Sequence, residues 1–185
     1  MNNAPKIKIV GLIGSLREDS YNKALMNEAL KICPPEAEIE IADINLPLFN
    51  QDFETNPSEG VKKFKNLVKS ADAVLIASPE YNYSIPGVLK NAIDWASRPH
   101  GDNSLEGKPV AVMSASIGML GGARAQYHLR QSFVFLDMYP INRPEVMVPF
   151  AAENIIGGKI QNEKSKEKIE ELLVALIAWV KKLKG

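Results

Sequence analysis

Cysteine is almost absent from this chain of 185 residues, in which Cys33 is the only one. A single cysteine excludes an internal disulfide and a cysteine-rich metal site. Low cysteine usage is also typical of a reducing compartment, so we expect the protein in the cytoplasm. Histidine is scarce too. His100 and His128 lie far apart in the sequence without a second pair of ligands, which argues against a zinc site.

Net charge and long hydrophobic runs are missing as well. The 22 basic residues balance the 22 acidic ones, so no overall field attracts nucleic acid or an anionic membrane. No window reaches the roughly 18 consecutive apolar residues that a membrane-spanning helix needs. The segment before the first predicted strand is too short for a signal peptide. We therefore expect neither nucleic acid nor a membrane as a partner.

What the chain does contain is an alternation of strand-like and helix-like segments. Strands are predicted over residues 7–13, 39–41, 73–77, 110–113 and 145–148. Helices are predicted from Ser20, over 58–70, from Ser84, over 121–135 and over 163–182. The first of these helices is predicted to bury Leu25, Met26, Ala29, Leu30 and Cys33. Right-handed crossovers place helices on both faces of a parallel sheet. This order therefore predicts an α/β fold, a three-layer sandwich around a five-stranded parallel sheet, formed by one domain over residues 1–185.

Residues 14–22, which we call the first turn, follow the first strand and lead into a helix. The turn lacks the Gly-x-Gly-x-x-Gly of dinucleotide sites and the Gly-x-x-x-x-Gly-Lys of nucleoside triphosphate sites. Ser15, Ser20 and Asn22 can instead donate hydrogen bonds to a single phosphate at the helix N-terminus, and Arg17 can add positive charge. The alternative is that Ser20 only caps the helix and Arg17 is an ordinary surface charge.

Residues 79–87, the second turn, follow the third strand and place Tyr81, Asn82 and Tyr83 at the carboxyl edge of the sheet. Ligands bind at this edge in open α/β folds, and tyrosines offer flat apolar faces with a polar tip. The first two turns together therefore predict a phosphorylated planar cofactor. The alternative is a second turn that only packs against the next helix.

Residues 114–122, the third turn, follow the fourth strand and contain Ser116, Gly118 and a Gly-Gly pair. Glycine allows close approach of the backbone, so bare N–H groups can face the carbonyl oxygens of a ring. Three polar residues near this rim are candidates for a network there or across a subunit contact, with an ordinary solvated helix face as the alternative: Arg124, Tyr127 and Glu145.

Three motifs carry a family resemblance. They are Gly-Ser-Leu-Arg-x-x-Ser-x-Asn in the first turn, Pro-Glu-Tyr-Asn-x-Ser-x-Pro-Gly-x-Leu-Lys-Asn-Ala-Ile-Asp-Trp over residues 79–95, and Gly-Gly-Ala-Arg-x-Gln over residues 121–126. With them the chain resembles the NADPH-dependent FMN reductase family, in particular its quinone and chromate reductase branch, over about residues 6–150. The resemblance implies a flavodoxin-like fold with strand order 2-1-3-4-5 and FMN bound without a covalent link.

The resemblance also assigns site residues in this sequence. The FMN phosphate would be held by Ser15, Leu16, Arg17, Ser20, Tyr21 and Asn22. The isoalloxazine would be flanked by Glu80, Tyr81, Asn82 and Tyr83, with Ser116 and the backbone around Gly118 at the third turn. We expect replacement of Asn22 or Arg17 to weaken FMN retention and to leave the fold intact.

The chemistry implied by the resemblance needs no catalytic side chain, because reduced flavin carries the reaction and the protein supplies binding and orientation. The implied cycle is ping-pong. NADPH or NADH reduces the flavin and leaves, and a small-molecule electron acceptor then takes two electrons. The acceptor would be a quinone, an azo compound, free flavin or an oxidised metal ion such as chromate.

Two other functions remain open at this point. The first is a flavodoxin-like carrier that binds FMN and docks to partner proteins without turning over NAD(P)H. Such carriers usually have a strongly acidic surface, and the zero net charge argues against one. The second is a dehydrogenase that uses Asp43 to hold a ribose hydroxyl. The missing glycine fingerprint argues against it.

Trp95, Met119 and Phe135 lie on or near segments that the resembled family uses for subunit contacts. A flavin pocket at a sheet edge is often closed by a second chain, so we expect a homodimer or a homotetramer. The alternative for these residues is ordinary core packing. For Phe135, core packing is as compatible with its position as a subunit contact is, whereas for Trp95 it is less compatible.

Overall fold

A computed structural model describes residues 5–185, and a parallel sheet lies at its centre. The strands of this sheet are β1 (Ile7–Ile13), β2 (Ala37–Ile41), β3 (Ala73–Ala77), β4 (Pro109–Ala115), β5 (Tyr139–Pro140) and β6 (Val146–Val148). Their order is β2-β1-β3-β4-β5, with β6 also beside β4, which confirms the predicted order. Residues 1–4, part of the segment judged too short for a signal peptide, lie outside the described residues.

The three central strands run to the same edge of the sheet. Ile13 at the end of β1 lies beside Ala77 at the end of β3, and Ala77 lies beside Met113 of β4. The three turns therefore start from one edge, the carboxyl edge, where parallel sheets bind their ligands. The register thus brings together segments that are far apart in the sequence.

The fifth position of the sheet differs from the sequence prediction. One strand was predicted over residues 145–148, whereas two short strands, β5 and β6, lie in succession along β4. Pro140 and Pro144 interrupt this part of the chain. Because proline lacks the N–H that a sheet ladder needs, it is tolerated at an edge and disfavoured inside a continuous strand. The edge is consequently built from two pieces.

Helices cover both faces of the sheet. They are α1 (Tyr21–Lys31), α2 (Glu59–Ser70), α3 (Gly87–Ala96), α4 (Ala123–Phe135), α5 (Ala151–Asn154) and α6 (Glu163–Lys184). Successive strand residues point to opposite faces. Ile9 and Leu75 accordingly pack in one core with α1 and α6, while Val10 and Ile76 pack in the other with α2, α3 and α4. The three-layer sandwich is confirmed.

Three local predictions need correction. Ser84 does not cap α3, because that helix begins at Gly87 after the extended residue Pro86. The first helix ends at Lys31, so Cys33 lies beyond it and is only partly buried. Leu30, predicted on the inner face of α1, is exposed. Helix ends are set by main-chain geometry that side-chain periodicity describes poorly.

Trp95 is the clearest correction among the residues proposed for subunit contacts. It is only 3% exposed, and its Nε1 donates a hydrogen bond of 2.8 Å to the carbonyl oxygen of Pro47. The ring of Phe49 packs edge-on against it, with 5.0 Å between the ring centres. Trp95 is therefore a core residue that secures the segment after β2.

The segment after β6, which carries no sequence motif, contains a small hairpin. Strands β7 (Ile155–Ile156) and β8 (Lys159–Ile160) pair antiparallel around Gly157 and Gly158, both of which have positive φ. A two-residue connection of this kind favours glycine. The hairpin packs near α1, and α6 follows it. Within residues 5–185, no helix is both long and apolar enough to cross a membrane.

We predict that Gly122→Ala destabilises the protein by about 2 kcal/mol or more, because the residue combines a left-handed backbone with tight packing. Its φ is +92°, and a Cβ there would lie 2.8 Å from the Cβ of Ser114. Urea denaturation measures the change. The matched control is Gly87→Ala at the start of α3, where a Cβ meets nothing within 4 Å. Equal unfolding midpoints for the two variants would contradict the prediction.

Candidate functional site

The first and second turns are in direct contact at Gly14. A Cβ on this residue would lie 3.2 Å from Pro79 Cδ and from Ser78 Oγ, which is closer than most side chains allow. The N–H of Gly14 donates a hydrogen bond of 2.8 Å to the carbonyl oxygen of Ala77. Glycine at this position therefore lets the two turns lie side by side.

Asn22 joins the first turn to the strand that leads into the third. Its Nδ2 donates to the carbonyl oxygen of Ala115 at 3.0 Å, and its Oδ1 accepts from the Ala115 N–H at 2.9 Å. The residue is only 2% exposed. Its side chain is thus fully engaged with β4. Asn22 has two possible donors to a ligand, its side-chain Nδ2 and its main-chain N–H. Only the main-chain N–H is available, because the first turn of a helix leaves its N–H groups without helical partners.

Ser20 has the properties of a ligand-binding residue rather than those of a cap alone. It is only 7% exposed, precedes α1, and its hydroxyl makes no capping hydrogen bond. The first bond at this helix end runs from the N–H of Ala24 to the carbonyl oxygen of Ser20 at 3.1 Å. The main-chain N–H groups of residues 21–23 are therefore free of helical partners. Together with the Ser20 hydroxyl they form a group of donors at the positive end of the helix.

A cavity of about 520 Å³ lies at this helix end. Arg17, Ser20 and Tyr21 line one side, and the glycines of the β7–β8 hairpin line another. Glu18 and Asp19 also line it, and both are exposed to solvent. α1 itself has no acidic residue in its first turn. The chemistry of this donor set fits a single phosphate group.

The second turn is a tight hairpin that displays aromatic side chains. Tyr81 and Ser84 exchange main-chain hydrogen bonds of 3.1 and 2.9 Å. The two residues between them, Asn82 and Tyr83, have φ of 50° and 63°. Tyr81 is 46% exposed and Tyr83 is 66% exposed. Large aromatic side chains left open at a sheet edge suit a planar ligand.

Glu80, predicted beside the isoalloxazine, is occupied within the protein. Its carboxylate accepts from the N–H of Arg124 at 2.9 Å and from the N–H of Ala125 at 3.2 Å. It also forms an ion pair with the Arg124 guanidinium at 3.2 Å. A carboxylate at a helix N-terminus is favourable because it satisfies unpaired N–H groups. Glu80 therefore ties the second turn to the start of α4.

The third turn is held by hydrogen bonds within it. Gly118 donates its N–H to Ser116 Oγ at 3.3 Å, and Gly121 donates to the carbonyl oxygen of Gly118 at 3.2 Å. Positive φ occurs at Gly121 and Gly122, whereas Gly118 has none. Glycine is therefore required at the end of the turn, where a Cβ would collide with β4 and β6, and not at the position predicted to face the ring.

The three polar residues near the rim do not form a network within one chain. Arg124 pairs with Glu80 and lies over the ring of Tyr83, 3.9 Å from its centre. Glu145 lies in a separate cleft near Arg143. The proposed ribose-binding role of Asp43 also loses support, because its carboxylate accepts from the N–H of Asn45 at 2.9 Å in a local turn.

Two parts of this region were not predicted from the sequence. His128 on α4 lies 2.9 Å from Ser84 Oγ through its Nδ1, and nothing in the sequence pattern singles it out for this contact. The Gly157–Gly158 connection lines the cavity, and a Gly-Gly pair was the one available signal for a turn there. Both contacts join segments that are distant in sequence.

The chain is similar to known proteins over nearly its whole length. Residues 7–153 match the family described as NADPH-dependent FMN reductase. The chain belongs to this NADPH-dependent FMN reductase family. It is 49% identical over 183 residues to an NAD(P)H-dependent FMN reductase of Pseudomonas aeruginosa, covering 97% of this chain and 98% of that one. It is 46% identical over 192 residues to an NAD(P)H:quinone oxidoreductase of Solanum tuberosum, covering 98% and 96%.

A solved structure gives the same result. The flavoenzyme NAD(P)H:(acceptor) oxidoreductase FerB of Paracoccus denitrificans superimposes with a TM-score of 0.87 at 36% identity, covering 95% of this chain and 98% of that one. Membership of the NADPH-dependent FMN reductase family makes this chain an NAD(P)H-dependent oxidoreductase with FMN as its cofactor. An enzyme is therefore favoured over a carrier that only exchanges electrons with protein partners.

The lone thiol has no place in this FMN reductase site. Cys33 lies just beyond the C-terminal end of α1, at the opposite edge of the sheet from the three turns. Burial raises the pKa of the Cys33 thiol, and nearby carboxylates of Glu36 and Glu38 act in the same direction while Lys6 opposes them. Because the thiolate is the reactive form, this environment disfavours reaction at Cys33.

We predict that Asn22→Ala lowers the free energy of unfolding by roughly 2–4 kcal/mol, because it leaves the buried N–H and C=O of Ala115 without partners. Chemical denaturation of the apoprotein measures it. Asn27→Ala is the control, since Asn27 is an exposed residue of the same helix. This prediction replaces the expectation that Asn22 can be changed without affecting the fold, and a loss equal to that of the control would contradict it.

Proposed function

We propose that this chain reduces quinones and related small-molecule acceptors with electrons from NADPH or NADH, by means of FMN held at the three turns. The observation that carries the proposal is the hydroxyl of Ser20, a residue only 7% exposed, which makes no cap bond and lies at a helix end beside the cavity. The names of the relatives as FMN and quinone reductases support the same activity.

The proposed phosphate site uses side chains and main chain together. The Ser20 hydroxyl and the N–H groups of Tyr21 and Asn22 would donate hydrogen bonds, and the exposed Arg17 would supply a mobile positive charge. Ser15 Oγ accepts from the Arg17 N–H at 3.3 Å, which orders the turn and leaves the hydroxyl hydrogen free to donate. Leu16 is exposed beside them and would shield the ligand.

The proposed ring site lies between the second and third turns. Tyr81, Asn82 and Tyr83 would flank one part of the isoalloxazine, and Ser116 with the main chain around Gly118 would face another part. When bound, FMN supplies the two-electron chemistry. The protein binds it, orients it and leaves one side open to acceptors, so no side chain needs to act as an acid or a base.

The exposed side chains beside the proposed ring site suggest which electron acceptors can bind there. Ile117 is largely exposed in the third turn, and with Tyr81 it would form an apolar rim suited to quinones. Azo compounds, free flavin and chromate remain part of the proposal as further acceptors. An open rim shared by donor and acceptor requires one to leave before the other enters, which is the order of a ping-pong cycle.

We also propose a homodimer or homotetramer. Phe135 and Val134 at the end of α4 are 84% and 83% exposed, and Met119 is 74% exposed. Apolar side chains of this size and exposure, here at the two ends of α4, are unfavourable in water and suit a contact with a second copy. The reducing cytoplasm stays the proposed location, since the chain has a single cysteine.

The decisive experiment is flavin uptake followed by reduction. We expect the purified apoprotein to bind FMN at micromolar concentration and the bound flavin to bleach on addition of NADPH or NADH. Initial rates with a quinone should give parallel double-reciprocal lines, as ping-pong kinetics requires. A protein that binds no FMN would overturn the function, whereas binding without NAD(P)H oxidation would revive the carrier.

We predict that Ser20→Ala weakens FMN binding by about tenfold or more, since it removes one hydrogen bond to a charged group. Riboflavin, which has no phosphate, should bind the variant and the wild type equally. Fluorescence titration measures both ligands. Ser58→Ala is the control, because Ser58 precedes α2 and likewise makes no cap bond. Equal losses for FMN and riboflavin would refute the phosphate assignment.

We predict that Phe135→Asp dissociates the oligomer by placing a charge in an apolar contact. Gel filtration with light scattering at several concentrations should show a smaller species than the wild type. Val174→Asp is the control, because Val174 is 54% exposed on α6, on the other face of the sheet. A wild type that is monomeric at every concentration would contradict the proposal.

A further inference from the structure

The second turn adopts a backbone conformation that one of its residues, Tyr83, disfavours. Asn82 and Tyr83 are both in the left-handed region, with φ of 50° and 63°. Non-glycine residues are uncommon there, and a tyrosine is a poor choice for such a position. Conformations of this kind persist only where the surrounding structure holds them in place. The contacts around the turn therefore decide how often Tyr81 and Tyr83 are correctly placed.

The start of α4 supplies those contacts at the near end of the turn. Glu80 accepts hydrogen bonds from the N–H groups of Arg124 and Ala125. The Arg124 guanidinium then lies over the ring of Tyr83, 3.9 Å from its centre. These contacts hold the residue before the hairpin and the side chain at its tip. They do not hold the residue that closes it.

The closing residue is Ser84, and its outside partner is His128. Ser84 completes the pair of main-chain bonds with Tyr81, and its Oγ lies 2.9 Å from His128 Nδ1. His128 follows Arg124 by four positions on α4, so both side chains lie on the same helix face. Its neighbours Gln126 and Leu129 are buried in the core, which fixes the helix beneath it. His128 thus contacts the turn from a rigid element.

We infer that His128 is a positioning residue for the aromatic second turn, which it holds in the ligand-binding conformation through Ser84. The inference rests on the proposed function, in which this turn flanks the isoalloxazine. A ligand that binds only the ordered turn has an apparent affinity proportional to the ordered fraction. Loss of His128 therefore raises the dissociation constant of FMN and leaves the rate of the bound flavin's reduction nearly unchanged.

The test compares His128→Ala, Ser84→Ala and the double variant with the wild type. We expect each single change to weaken FMN binding by about three- to tenfold, as one hydrogen bond of ordinary strength would. The double variant should be no weaker than the worse single variant, because both changes remove the same bond. His128→Asn places an amide near the position of Nδ1 and should restore most of the affinity. His100→Ala is the control for an exposed histidine elsewhere.

A second readout uses the apoprotein and needs no flavin. Hydrogen exchange of the segment 79–87 should be faster in His128→Ala and in Ser84→Ala, because the amides of Tyr81 and Ser84 are protected only by the closed hairpin. Thermal midpoints should stay close to that of the wild type. Additive losses in the double variant, or unchanged exchange and affinity in His128→Ala, would overturn the inference. If the variants exchange faster but the wild type binds no FMN, the result would overturn the proposed function alone.

Discussion

The paired hydrogen bonds between the Asn22 side chain and the main chain of Ala115 are the contact on which the site depends. An asparagine amide presents a donor and an acceptor in the same arrangement as a peptide group, so it extends the ladder of β4 by one side chain. The start of α1 is thereby fixed relative to the strand that leads into the third turn. Because the pair is buried, water does not compete for it, and a broken pair would leave four polar groups unsatisfied.

The other contacts between the turns follow the same principle. Gly14 lets the first turn touch Pro79, and Glu80 satisfies two main-chain N–H groups of α4. Each pair of turns is therefore joined by atoms of the protein and not only by a ligand. A site organised in this way loses little conformational entropy when a ligand binds, which favours affinity and a fixed ring orientation.

These contacts divide the motif residues into two classes. Asn22 and Glu80 point inward and hold the turns together, although the family resemblance placed them among the residues that contact FMN. Ser20, Tyr81 and Tyr83 have groups that remain available to a ligand. Both classes consist of polar or aromatic residues at the ends of strands, so their chemical type is the same. Only the partner of each side chain distinguishes a residue that holds the turns together from a residue that is available to the ligand.

Much of the architecture could be predicted from the sequence because it depends on local patterns. The uninterrupted apolar segments at β1, β3 and β4 identify buried parallel strands, and the alternation with amphipathic helices determines the three layers and the carboxyl edge. The position of the three turns follows from that order. The split edge strand and the burial of Trp95 were not predicted, because they depend on where two separate segments meet β4 and on a segment that folds back from a distance.

The sequence by itself therefore determined the fold class, the strand order by family likeness and the three segments that meet at the site. The tertiary structure alone decided which side chains face one another: Asn22 with Ala115, Glu80 with Arg124, and Ser84 with His128. The physical reason is range. Periodicity and turn chemistry act over a few residues, whereas hydrogen bonds between turns depend on strand register and on the exact place where each helix begins.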